Sequence, residues 1–267
     1  MYAFEYHRPA TLKQAASLLR KNAGAKALSG GQSLIPALKL RLASPPALVD
    51  LGGIDELRGI KLEAAVLTIG AMARHAEVAA SKDVIIGIPA LAKLADGIGD
   101  RQVRNQGTLG GALANNDPAA DYSAAVLGLG ATIHTNKREI SSDKFFTGLY
   151  ETALKAGEII TRVTFPLPRR AAYVKFKNPA SRYAIVGVFV SEGAGNVRVA
   201  VTGAANCAFR VTEMEKKLTE KFAPEAIAKM RVPADKLNSD LHASAEYRSH
   251  LVTVMAQRAV AAALPGK

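Results

Sequence analysis

Two short glycine-rich loops, Ser29-Gly-Gly-Gln-Ser33 and Gly107-Thr-Leu-Gly-Gly111, constrain this chain more than any other feature. The first follows 25–28, which reads as a short buried strand, and precedes Leu34, Leu38 and Leu42 at helical spacing, so it reads as a strand–helix junction. Adjacent glycines admit positive φ and remove the Cβ atoms that keep a ligand away from the backbone. Successive N–H groups in such a turn form an anion nest, with Ser29 and Ser33 as extra donors and a helix start behind them. A tight, ligand-free turn is satisfied by the same residues. Neither standard phosphate fingerprint is present: G-x-G-x-x-G is not matched, and no Gly-Lys-Ser/Thr follows. The second glycine-rich region, 103–121, repeats the chemistry with Thr108 and Gly110-Gly111. It ends at Asp121, which can accept from a ribose or ligand hydroxyl or cap the following helix. Two such loops suit a long ligand with a central pyrophosphate, a dinucleotide better than a mononucleotide.

Around the loops, helical and extended patterns alternate. Thr11-Leu-Lys-Gln14 has the form of a capping box, and Asn22 and Gly24 end the helix it opens. Segments 48–51, 66–69, 131–135 and 158–165 read as strands. Residues 74–96 are largely helical with a break at 87–89, and a helix is expected at 124–129. Pro166-Leu-Pro168, followed by Arg169-Arg170, is the best domain boundary. Beyond it come strands at 172–176, 184–190 and 197–201, the last two joined by a turn at Asn196. Helices follow at 210–218, in part of 223–230, and at 244–263. Mixed elements first, then strands before helices, predict an α+β architecture.

Composition narrows the chemistry. Cys207 is the only cysteine, which excludes an internal disulfide and an iron–sulfur cluster held by this chain alone. The histidines are scattered without zinc-site spacing, so no metal ligand is assigned. The net charge of +12 raises nucleic-acid binding, but the basic residues are dispersed and there is no Trp for a stacking platform. An acidic partner subunit or an anionic cofactor is the simpler explanation. No run approaches the ~18 apolar residues of a membrane span, and the N-terminus shows no secretory pattern; a soluble, cytoplasmic chain is expected. His75 reads as a helix-start residue, since no partner carboxylate for acid–base work is apparent.

The motifs together resemble a known family. Ala27-Leu-Ser-Gly-Gly-Gln-Ser-Leu34 and Gly107-Thr-Leu-Gly-Gly111, followed by Asn-Asn-Asp-Pro-Ala-Ala-Asp121, are similar to the two FAD-pyrophosphate loops of the xanthine dehydrogenase flavoproteins. The similarity is greatest to the medium subunit of aerobic carbon monoxide dehydrogenase-like enzymes. Lys175-Phe-Lys-Asn-Pro-Ala-Ser-Arg-Tyr183 resembles the segment that opens that family's C-terminal domain, and Phe4-Glu-Tyr-His-Arg-Pro9 resembles its start. The resemblance implies an α+β fold: a two-lobed, vanillyl-alcohol-oxidase-like (PCMH-type) FAD-binding domain over 1–170, with lobes of about 1–55 and 56–170. A small α+β domain with an antiparallel sheet and helices would occupy 171–267.

Carried over by motif, Ala27, Leu28, Ser29, Gly30, Gly31, Gln32, Ser33, Leu34, Thr108, Leu109, Gly110, Gly111 and Ala112 would cradle FAD. Asp121 would face its ribityl or ribose side, and Ile160 and Lys177 would touch it from later strands. Ile98 falls near the adenine or flavin, and Tyr183 beside the flavin ring or in the core. Ala112 stands where relatives often carry Asn or a hydroxyl residue, leaving only its backbone N–H. The implied function is electron transfer within a molybdenum hydroxylase: a molybdopterin-containing large subunit oxidises substrate, a [2Fe–2S] small subunit relays electrons to FAD here, and an external acceptor removes them. A dimer of heterotrimers is implied as the assembly, and no catalytic residue is assigned to this chain. The alternatives are a self-contained FAD-dependent oxidase of the wider superfamily and a basic nucleic-acid-binding protein.

Overall fold

The structure, a computed structural model, describes residues 1–264, so the end of the expected 171–267 domain lies outside the described residues. Strands β1 (Glu5–His7), β2 (Lys26–Leu28) and β3 (Ala47–Asp50) form a parallel sheet in the order β1-β3-β2. Central β3 buries Ala47, Leu48 and Val49 in succession, as a parallel strand covered on both faces must. Helix α1 (Leu12–Lys21) crosses from β1 to β2 and seats Ala15 and Ala16 against Val49. Its capping differs from the expected reciprocal box: Thr11 Oγ1 accepts from the Gln14 N–H, but Gln14 Oε1 accepts from Ala10. Helix α2 (Leu34–Lys39) stops short of Leu42, and Leu40 and Leu42 lie on the surface.

The second lobe is built on β4 (Ile60–Glu63), β5 (Val66–Gly70), β6 (Thr132–Thr135) and β7 (Glu139–Ser141), with a side hairpin β8 (Phe146–Gly148) and β9 (Glu151–Thr152). Strand β10 (Ile160–Pro166) then enters the middle of an antiparallel sheet ordered β4-β5-β10-β6-β7. The region read as one interrupted helix at 74–96 is three short ones: α3 (His75–Ala80), α4 (Lys82–Gly87) and α5 (Pro89–Asp96). The additional break falls at Ser81, whose hydroxyl caps α4. Much of the second glycine-rich region is helical too, as α6 (Arg101–Gln106) and α7 (Leu109–Asn115). Asp100 caps the first and Thr108 the second.

Helix α8 (Asp121–Gly128) is buried along its whole length, which is why its sequence lacks a polar face. On one side it packs into the second lobe, and on the other it meets a four-stranded sheet. That sheet comprises β11 (Arg170–Lys177), β12 (Ala184–Glu192), β13 (Val197–Thr202) and β14 (Phe209–Arg210). Strand β12 alternates cleanly: Phe189 joins the second-lobe core, while Val186, Val188 and Val190 face α9 (Thr212–Glu220) and α10 (Ala245–Ala263). One charge lies deep in this last layer. Arg248, only 3% exposed, donates to the carbonyls of Ile185 and Gly203 and to Asp240. Arg248→Ala is expected to lower stability by roughly 2–4 kcal/mol, read as a shift of the urea midpoint. A change below about 0.5 kcal/mol would contradict this role.

Candidate functional site

The chain leaves β2 at Ser29 and turns through Gly31, at φ +70°, into α2. Among the described residues, the N–H groups of Gly30, Gly31, Gln32 and Ser33 find no protein acceptor. Four neighbouring donors without partners form the nest that the sequence suggests. The second loop is different: of its N–H groups, only that of Thr108 is without a protein acceptor among the described residues. Leu109 N–H donates to Ala73, Gly110 N–H to Ala71, and Gly111 N–H to Thr108 Oγ1, which zips the loop onto 71–75. Ala112, expected to offer its N–H, gives it to the Thr108 carbonyl. The first loop therefore presents four free N–H groups and the second only one, with the rest of the second loop's donors tied into the fold.

The two loops touch. The Ser29 and Thr108 hydroxyls are 2.6 Å apart, and Ser29 Oγ also reaches Met72 Sδ. With one proton each, Thr108 donates to Ser29 and Ser29 donates to the sulfur. Gly30 lies so close to the other loop that a Cβ there would come within 2.2 Å of the Gln106 carbonyl oxygen. Only glycine permits that approach.

Beneath this junction lies His75, 5% exposed, with Nε2 2.5 Å from the point a Gly107 Cβ would occupy. Its ring centroid is 5.3 Å from that of Tyr122, and its Nδ1 has no partner. Burial first, and then the Arg104 charge, lower its pKa to about 4, so it is neutral at pH 7. It begins α3 as expected, but its position under the second loop was not legible.

Asp121 does not face an open cleft. Tyr173 donates to its Oδ1 at 2.5 Å, and Lys175 Nζ reaches both oxygens at 3.0 and 3.1 Å. Burial pushes this carboxyl up, opposed by the Lys175 charge and the two hydrogen bonds. The cap of α8 is Ala120, so Asp121 is no helix cap either; it ties the start of α8 to β11 of the C-terminal sheet. Ile160 is 4% exposed and belongs to the core. Its neighbour Thr161 accepts from Ala71, which accepts from Gly110, so β10 stands one residue behind the second loop. Lys177 is exposed at the end of β11, past a bulge, with no hydrogen bond to either loop among the described residues.

Ala27 is exposed, and Leu28, Leu34 and Ile98 are half-buried around this region. Tyr183 is 47% exposed. Its hydroxyl is pushed up by partial burial and then by the charges of Asp117, Tyr150 and Asp121. Sequence reasoning overlooked Asn116. In the left-handed conformation that Asn tolerates, it ends α7 and holds the β8–β9 hairpin through the Gly148 and Glu151 carbonyls.

Residues 2–168 match the FAD binding domain in molybdopterin dehydrogenase, and residues 171–263 match the CO dehydrogenase flavoprotein C-terminal domain. The chain belongs to the FAD-binding medium subunits of the molybdenum hydroxylases. FAD is the cofactor of this flavoprotein, and its activity class is oxidoreductase. It is 34% identical to the nicotine 6-hydroxylase medium subunit of Paenarthrobacter nicotinovorans, over 97% of this chain and 96% of the relative. Identity and coverage are the same for the carbon monoxide dehydrogenase medium chain of Hydrogenophaga pseudoflava. Among solved structures, quinoline 2-oxidoreductase from Pseudomonas putida 86 superposes with a TM-score of 0.89 at 31% identity, over 98% of this chain and 97% of that one. The partnerless donors of 30–33 and the side-chain-free junction at Gly30 fit a pyrophosphate-centred cofactor.

The His75 shift sets a pH dependence. An unfolded chain protonates this histidine near 6.5 and the folded one near 4, so the unfolded state binds more protons between those values. Its contribution to stability is complete above about pH 6.5 and declines as pH falls towards 4. Between about pH 7 and 4.5, His75→Gln is expected to lose less stability than the wild type, by on the order of 2–3 kcal/mol in denaturant titrations. Parallel acid losses in the two proteins would contradict this reading.

Proposed function

We propose that this flavoprotein works as the electron-exit subunit of a molybdenum hydroxylase, assembled with a molybdopterin-containing large subunit and a [2Fe–2S] small subunit as a dimer of heterotrimers. Bound FAD supplies two-electron redox chemistry, accepting electrons that originate at the partner and releasing them to an external acceptor. This chain's residues bind and orient it. The N–H groups of 30–33 hold the pyrophosphate, the Ser29–Thr108 contact fixes the loop spacing, and Lys177 and Ile98 line the remainder, with Ile160 packed in the core behind.

The observation that carries this reading is the partnerless donor row of the first loop, closed against a second loop in which only the Thr108 N–H is without an acceptor among the described residues. Two buried titratable groups of this domain support an electron-transfer role without acid–base steps. His75 is neutral and shut beneath Gly107, and Asp121 is engaged by Lys175 and Tyr173. Among the described residues, no helix is long and apolar enough to cross a membrane.

Co-purification tests the proposal. The tagged chain is expected to recover one molybdopterin-containing and one [2Fe–2S] polypeptide. Its flavin absorbance is expected to bleach on addition of a substrate (carbon monoxide, an aldehyde, a purine or an N-heterocycle) only in their presence. Recovery of a solitary chain whose flavin is reduced by such a substrate would overturn it.

A further inference from the structure

Three successive backbone carbonyls, those of Gly97, Ile98 and Gly99, each accept a hydrogen bond from a cationic side chain. Lys175 Nζ donates to Gly97 O at 3.0 Å, and Arg104 donates to Ile98 O at 3.0 Å and Gly99 O at 3.2 Å. Arg182 donates to Gly99 O at 3.0 Å. Two of the three cations, Lys175 and Arg182, come from the C-terminal domain. The carbonyls lie at the C-terminal end of α5, where the helix dipole favours positive charge, but Arg182 crosses 83 positions of sequence to arrive there.

Arg182 is also held in an unfavourable conformation. Its φ is +63°, in the left-handed region that a long side chain rarely adopts. The 178–183 turn enforces it: Asn178 Oδ1 accepts from the Ala180 and Ser181 N–H groups, Arg182 N–H donates to Asn178 O, and Asn178 N–H donates to Tyr183 O. A strained, internally braced residue that reaches into another domain is where a functional constraint is to be sought.

The Gly99 contact leads directly to the cofactor loops. Asp100 caps α6, and α6 ends at Gln106, whose carbonyl is the surface against which Gly30 rests. The path from Arg182 therefore runs through one turn, one short helix and one backbone contact.

We propose that Arg182 is a positioning residue: through Gly99 and α6 it sets the spacing between the two glycine loops, and so how tightly and in what orientation FAD is held. The proposal rests on the FAD site described above. The test compares wild type, Arg182→Gly and Arg182→Lys as full-length chains, by fluorescence titration with FAD, visible circular dichroism of the bound flavin, and apoprotein melting.

Glycine removes the guanidinium and also relieves the positive-φ strain, so a merely structural role predicts a melting change in step with affinity. Positioning predicts instead that Arg182→Gly melts at or above the wild-type temperature, binds FAD about tenfold more weakly and has an altered flavin dichroism. Arg182→Lys should restore affinity to within about threefold. If Arg182→Gly keeps FAD within about twofold with unchanged dichroism, or loses affinity only in step with melting, the proposal is overturned. If Arg182→Gly yields no folded protein, its role is structural and the proposal likewise fails. Failure of the wild type itself to bind FAD would count against the FAD site, a separate outcome.

Discussion

The approach of Gly30 to the Gln106 carbonyl is the contact on which the site depends. It brings a loop of the parallel first lobe against a loop of the antiparallel second lobe, with no side chain between them. Everything near it maintains that closeness. Thr108 and Ser29 share hydroxyls across the gap, and Ala71 and Ala73 accept the N–H groups that would otherwise compete for an anion. The division of labour between the loops follows. One keeps its donors available and the other uses all but the Thr108 N–H to hold still, so an anionic group would meet a preorganised surface.

The C-terminal domain belongs to the same device. Helix α8 is buried between the second lobe and the C-terminal sheet, and the Phe189 ring lies 2.9 Å from where a Gly128 Cβ would be. At the start of α8, Asp121 exchanges solvent for Lys175 and Tyr173. A buried carboxylate requires such partners, because desolvation without compensation costs several kcal/mol. Lys175 extends the link to Gly97. Domain docking and loop geometry thus share residues.

Much of this was legible in the sequence, and what was not has physical reasons. Both glycine loops, α1, the β11–β13 sheet and α10 follow from local pattern: caps, turn residues and apolar periodicity set them without distant contacts. The α6–α7 region read as loop, since α6 buries no residue and α7 contains two glycines that oppose helix formation. Those helices exist because Asp100 and Thr108 cap them and because Leu109 and Leu113 are drawn into the core. The protein partners of Asp121 stand 52 and 54 positions away, a distance at which no local pattern speaks. The contact between Ser29 and Thr108, 79 positions apart, was equally silent: each loop announced itself, but not that they touch.

The most direct test of the account is the affinity of Gly30→Ala for FAD. The added methyl cannot fit against the Gln106 carbonyl, so the loops must separate while both lobes keep their own cores. Titration of the apoprotein should show FAD binding weakened at least ~100-fold with far-ultraviolet circular dichroism unchanged. An alanine variant that binds FAD within about threefold of the wild type would contradict the claim that loop closure at Gly30 makes the cofactor site.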